Sequence, residues 1–173
     1  MRIGVVSIHS KPYVEEAVQK LGYTPFVLSF LEEDLAEKIQ KSKINKWIFS
    51  GSDLRVTVNN PLAPQVPMDI LEMKQKEFFL ICYSMESMML QLGYPVVERN
   101  HFMTERFPLG PLEVYRNHGY YIPAKKVDTK VKVIHTRRGE VMTACYKNVI
   151  MTQWHPERTK DGLLCLKAWI EDC

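Results

Sequence analysis

The sequence predicts an α/β fold, a mostly parallel sheet flanked by helices, with antiparallel strands added in its second half. Three observations predict it. Short apolar runs rich in β-branched and aromatic residues alternate with segments of helical period four times over the first part of the chain. Those runs have no polar alternation, as suits strands buried on both faces of a parallel sheet. From about Pro95 onward strand-like runs follow one another without long helices between them.

The elements follow in order. Arg2-Ile3-Gly4-Val5-Val6-Ser7-Ile8 reads as the first buried strand. Tyr13, Val14, Ala17, Val18 and Leu21 then recur at helical spacing, with Gly22 as the C-terminal stop. Phe26-Val27-Leu28 is a second run, and Leu31, Leu35 and Ile39 fall at i, i+4 and i+8, with Ala36 beside them. Lys46-Trp47-Ile48-Phe49 leads into the turn-forming Ser50-Gly51-Ser52-Asp53, and a loop with Pro61, Pro64 and Pro67 precedes a short helix carrying Ile70, Leu71 and Met73. Phe78-Phe79-Leu80-Ile81 ends at Cys82, and Met85, Met88, Met89 and Leu92 mark a helix that stops at Gly93. In the second half Val114-Tyr115, Val131 to Ile134, Val141 to Cys145 and Val149 to Trp154 are short β-rich runs, and Leu163, Leu164, Leu166, Ala168, Trp169 and Ile170 read as a closing helix.

Composition narrows the class. The chain has 173 residues, 46% hydrophobic and 25% charged, which fits one globular domain, 1-173, with a real core. The net charge of +3 is spread among 20 acidic residues rather than gathered in a basic stripe, so nucleic acid is not indicated as a partner. No apolar segment has signal or membrane-span length, and Cys82, Cys145, Cys165 and Cys173 form no CxxC pair. The expectation is a cytoplasmic protein with free thiols and no membrane partner.

The chemistry begins at Cys82, which ends one strand and opens a helix. Ligand crevices in parallel α/β sheets lie at the carboxyl ends of the strands, so this thiol projects into one. The positive end of a helix is expected to lower its pKa and favour the thiolate. A cysteine nucleophile also needs a base, and that base needs an acid to fix its tautomer. Thr152-Gln153-Trp154-His155-Pro156-Glu157, at another strand end, supplies His155 and Glu157, which two-residue spacing places on the same side.

Taken together these residues bring a family into view. Leu80-Ile81-Cys82-Tyr83-Ser84-Met85-Glu86 resembles the nucleophile turn of the class I glutamine amidotransferases, usually Gly-Ile-Cys-x-Gly-His-Gln, and Gln153-Trp154-His155-Pro156-Glu157 resembles their Gln-Phe/Trp-His-Pro-Glu base motif. Ile48-Phe49-Ser50-Gly51-Ser52-Asp53 is similar to the family's Leu-Ser-Gly-Gly-Pro loop. Leu92-Gly93-Tyr94-Pro95-Val96 is similar to its Gly-Gly-x-Val stretch, and Val114-Tyr115-Arg116-Asn117-His118-Gly119 to its Ser-His segment. Order and approximate spacing agree over nearly the whole chain. The resemblance implies a flavodoxin-like sheet and a triad of Cys82, His155 and Glu157, with no cofactor and no metal. It also implies an oxyanion and substrate site made by the backbone N–H groups of Tyr83 and Ser52, by Gly51, and by Glu86, Asn117 and His118. His9, His101 and His135 show no ligand spacing with Cys or carboxylates, and Cys145, Cys165 and Cys173 have no catalytic company.

The sequence departs from the family at four places. Leu80 and Ser84 stand where glycines usually flank the nucleophile and let strand and helix pack closely. Asp53 replaces the loop proline, and Glu86 replaces the usual Gln. Three functions follow as expectations. One is a glutaminase that passes ammonia to a separate partner synthetase. Another is a stand-alone hydrolase of γ-glutamyl amides or peptides, toward which Trp154 and Asp53 lean. The third is a catalytically decayed binding module.

Overall fold

The computed structural model describes residues 1–8, 11–54, 56 and 63–172. Strand β1 (Arg2–Ser7) leads to α1 (Tyr13–Lys20), β2 (Thr24–Ser29), α2 (Leu35–Lys41) and β3 (Lys46–Phe49). A 3-10 helix at Met68–Glu72 precedes β4 (Glu77–Ile81) and α3 (Tyr83–Gln91). The second half holds β5 (Val97–Leu109), β6 (Leu112–Tyr121), β7 (Lys132–Arg137), β8 (Glu140–Tyr146), β9 (Val149–Thr152) and α4 (Lys160–Glu171). Seven strands form one sheet in the order β2-β1-β3-β4-β9-β8-β7. The first five of that order are parallel, and β8 and β7 add on antiparallel. No helix among the described residues is long and apolar enough to cross a membrane.

Alternation along the central strands decides what packs on each face. Val6, Trp47, Phe49, Phe78, Leu80 and Met151 point toward α2 and the methionines of α3, Met85, Met88 and Met89. Ile3, Val5, Ile48, Phe79 and Ile81 point the other way, onto Val14 and Val18 of α1 and Leu166, Trp169 and Ile170 of α4. Gly4 is where Trp47 crosses β1; a Cβ there would fall 2.2 Å from the indole. Both core faces run up to the carboxyl ends of β4 and β9, where the chemistry-bearing residues sit.

Three expectations need correction. Leu31 does not belong to α2 and is 71% exposed. The chain turns first, with Ser29 N–H donating to the Glu32 carboxylate and Leu31 N–H to Ser29 Oγ. The second half is not made of short strands only, because β5 has 13 residues and pairs with β6 in a separate two-stranded sheet. Nothing in Val97-Glu98-Arg99-Asn100-His101-Phe102 alternates apolar with polar, so β5 lacked the usual signal. The strand carrying the His-Pro-Glu segment stops at Thr152 rather than at Trp154. Pro61, His9 and Cys173 lie outside the described residues.

The hairpin is anchored by buried charge. Arg116 on β6 is fully buried, pairs with Glu105 at 2.6 Å and Glu140 at 3.1 Å, and lies over the Phe107 ring. Arg99 on β5 pairs with Glu140 from the other side, and Arg137 reaches Glu105 at 3.3 Å. Removing one member would leave an uncompensated buried charge.

Candidate active site

Cys82 is the single residue between β4 and α3, with φ 49 and ψ −105. Positive φ is costly for a residue with a Cβ, and here the surroundings impose it. Its N–H donates to Thr152 O at 2.7 Å, which continues the sheet, while its carbonyl accepts from Glu86 N–H at 2.9 Å, which starts the helix. The thiol is thus turned out of the strand and into a cavity of about 210 Å³ bordered by Ser52, Glu86, Arg99, Asn117 and His118. The two departures beside it have physical roles. Leu80 is fully buried in the core opposite Phe49 and Met151, so the strand needs no glycine there. Ser84 donates its hydroxyl to Ser50 O at 2.6 Å and ties the first turn of α3 to the Gly51 loop.

Gly51 is required by close approach. A Cβ on it would lie 3.1 Å from His155 Cε1 and 3.4 Å from Cys82 Cβ, so this backbone runs between nucleophile and imidazole. Ser52 lines the cavity, and its hydroxyl accepts from Leu54 N–H. Tyr83 is the first residue of α3, where a backbone N–H has no intrahelical partner, and its side chain is buried with the hydroxyl donating to Pro64 O at 2.7 Å.

His155 and Glu157 meet through a 3-10 turn at Pro156–Arg158 rather than by strand alternation. Nδ1–H donates to Glu157 Oε1 at 2.7 Å, which leaves Nε2 as the other functional atom of the ring. Nε2 has no hydrogen-bond partner among the described residues. The turn is fixed from three sides. His155 N–H donates to Tyr115 O at 2.7 Å, Thr159 caps α4 by accepting from Gly162 N–H, and α4 approaches so closely that a Cβ on Gly162 would lie 2.5 Å from Pro156 O.

The electrostatics correct one expectation. Burial pushes the Cys82 thiol up, Glu86 adds to this, and His155 only partly offsets it, so the helix terminus does not decide the matter. Burial also opposes charge on His155, but Glu157 and the sulfur together hold its pKa well above the ordinary value. The proton between Sγ and the imidazole is drawn to nitrogen by Glu157 and back to sulfur by burial and Glu86. Glu86 itself is 3% exposed, and burial raises its carboxyl to about 7 against a hydrogen bond from Gln153 Nε2 at 2.8 Å and the nearby His155.

The structure brings Cys82, His155, Glu157, Gly51, Ser52, Tyr83 and Glu86 together, and Asn117 and His118 close the cavity from β6. Asn117 O lies 3.8 Å from Cys82 Sγ. His118 is 2% exposed, donates Nδ1–H to Tyr120 O, and is lowered to about 4 by burial, with Arg116 and Arg99 adding to the effect. It is therefore neutral at ordinary pH, with a bare Nε2. Sequence reasoning missed Arg99, which reaches the cavity from the unrecognised β5, and the roles of Gln153 and Gly162. An Asp-Gly dipeptide two residues into a helical stretch was the available signal for Gly162, since glycine there is unfavourable unless packing requires it. Among the described residues no group of three or more His, Cys, Asp or Glu could hold a metal ion.

Compared with known families, residues 11–162 match the model of the glutamine amidotransferase class-I domain. The chain belongs to that family. Its fold is similar to that of a proposed GMP synthase glutamine-side component from Thermoplasma acidophilum, with 16% identity, a TM-score of 0.67, and 98% of this chain and 95% of that one covered. It is also similar to PurLQS from Thermotoga maritima, with 12% identity, a TM-score of 0.70, and 98% and 97% covered. No curated protein matches the sequence.

Proposed function

We propose that this class I amidotransferase domain hydrolyses the side-chain amide of glutamine through a γ-glutamyl thioester on Cys82. The observation that carries the reading is a thiol held at a strained strand-helix junction beside an imidazole whose Nδ1 is fixed 2.7 Å from a buried carboxylate. Sγ attacks the amide carbon while its proton goes to His155, and the oxyanion is met by the backbone N–H groups of Tyr83 and Ser52. His155 returns the proton to the leaving nitrogen as the C–N bond breaks. It then takes one from the water that cleaves the thioester and releases glutamate, while Glu157 holds the ring's tautomer throughout. The buried Leu80 and the bonded Ser84 count against a decayed site.

The ammonia would go to a separate partner synthetase. This reading is supported by a solved neighbour described as one component of a synthase. A stand-alone γ-glutamyl hydrolase is the second reading, favoured by the space beyond His155 described below. Ammonia release from glutamine by the purified chain tests the proposal, with Cys82→Ala as control. Release that survives Cys82→Ala would overturn it.

A further inference from the structure

A second cavity, of about 260 Å³, opens on the far side of the catalytic imidazole and is bordered by Lys11, Tyr13, Tyr115, His155, Glu157 and Arg158. It shares Asp53 and Asn117 with the Cys82 cavity, so the two spaces flank the Cys82–His155 pair. That arrangement divides the substrate. The acyl half must lie where Sγ can reach its carbonyl, and the leaving nitrogen must lie where His155 can protonate it. Ammonia is about the size of a water molecule, whose share of liquid volume is about 30 Å³, so this space is several times larger than glutamine's leaving group needs.

Its chemistry is specific. Arg158 has its guanidinium carbon 4.5 Å from the Tyr13 ring and 5.2 Å from the Tyr115 ring, and Lys11 Nζ stands 5.9 Å from the Tyr13 ring. Neither cation has an ion-pair partner among the described residues. The negative charges that face the same space are engaged, Glu157 on His155 and Asp53 in an interaction of its own. Two aromatic faces hold the guanidinium in place without using its N–H edges, which leaves them to a planar anion.

We propose that this cavity is a leaving-group subsite for an amine bearing a carboxylate, so that the enzyme cleaves γ-glutamyl conjugates of amino acids or peptides. The inference rests on the thioester chemistry proposed above and extends it to a substrate class. The Cys82 sulfur displaces the amine, the γ-glutamyl C–N bond breaks, and His155 gives the departing nitrogen its proton. Water then cleaves the thioester to glutamate. Lys11 and Arg158 hold the carboxylate of the departing amino acid, and because both are exposed their effect is screened by salt.

The test compares kcat/KM of the full chain on γ-glutamylglycine, on γ-glutamylmethylamide, which lacks only the carboxylate, and on glutamine. The expected result is a preference of about tenfold or more for γ-glutamylglycine over the methylamide, shrinking as salt is raised. Arg158→Gln should cut that ratio by about 3–10-fold, and Lys11→Gln, an independent exposed substitution, should cut it in the same direction. Glutamine turnover with a ratio near unity in the wild-type chain, or a ratio unmoved by both substitutions, overturns the subsite while leaving the thioester reading intact. Absence of turnover on all three substrates overturns both.

Discussion

Replacing Glu86 with Gln removes a carboxylate that the fold holds in an unfavourable place. Its carboxyl is raised from 4.5 to about 7, chiefly by burial. A group whose folded pKa lies above its unfolded one costs nothing below the unfolded value. Its cost grows as pH rises between the two and is complete above the folded value. The interval from 4.5 to about 7 corresponds to about 3 kcal/mol at alkaline pH. The replacement amide keeps the hydrogen bond from Gln153 Nε2, and its own N–H can donate to Gln153 Oε1, which has no partner among the described residues. At about pH 8 Glu86→Gln should therefore raise stability by about 2–3 kcal/mol, or roughly 5–10 °C in Tm for a chain of this size, and near the unfolded pKa the gain should vanish. Thermal or urea unfolding of both proteins across this range measures it. A gain of equal size at low and high pH, or a loss at high pH, would refute the reasoning.

The same substitution removes one of the influences that keep the proton on sulfur, so Cys82 alkylation by iodoacetamide at neutral pH should be faster in Glu86→Gln than in the wild type. In both proteins Cys82 should react before Cys145 and Cys165, whose pKa values burial also raises and which lie beside no imidazole. His155→Ala and Glu157→Ala should both sharply reduce ammonia release with little change in unfolding midpoint, His155→Ala by more, because the carboxylate acts only through the ring. Gly162→Ala should destabilise by about 1–2 kcal/mol, overpacking against Pro156 outweighing the roughly 1 kcal/mol that alanine gains in a helix, and kcat should fall as the His155–Glu157 turn shifts. Unfolding titrations paired with kcat for the variant check both halves of that expectation.

Much of the fold was legible because the buried strands announce themselves. Val5-Val6, Trp47-Ile48-Phe49 and Phe78-Phe79-Leu80-Ile81 are apolar without interruption, and only strands covered on both faces need that pattern. Strand β5 was illegible for the converse reason. It pairs with a single neighbour in its own small sheet, and most of its residues are polar and at least partly exposed. Cys82, His155 and Glu157 could be read from motif and position. The contact of the last two was expected for the wrong geometric reason, since a 3-10 turn and not a strand joins them. The thiol's raised pKa was hidden because it depends on a carboxylate one helical turn away and on depth of burial, neither of which a local sequence reading measures. The ionic network around Arg116 was hidden because its members come from β5, β6, β7 and β8 and meet only after folding.

The most direct measurement is intact-mass analysis of the purified chain, acid-quenched during turnover with glutamine and followed by peptide mapping. The account predicts one γ-glutamyl group per molecule, confined to the peptide containing Cys82 and absent from Cys82→Ala. Turnover with no covalent adduct at any quench time, together with undiminished ammonia release by Cys82→Ala, would contradict it.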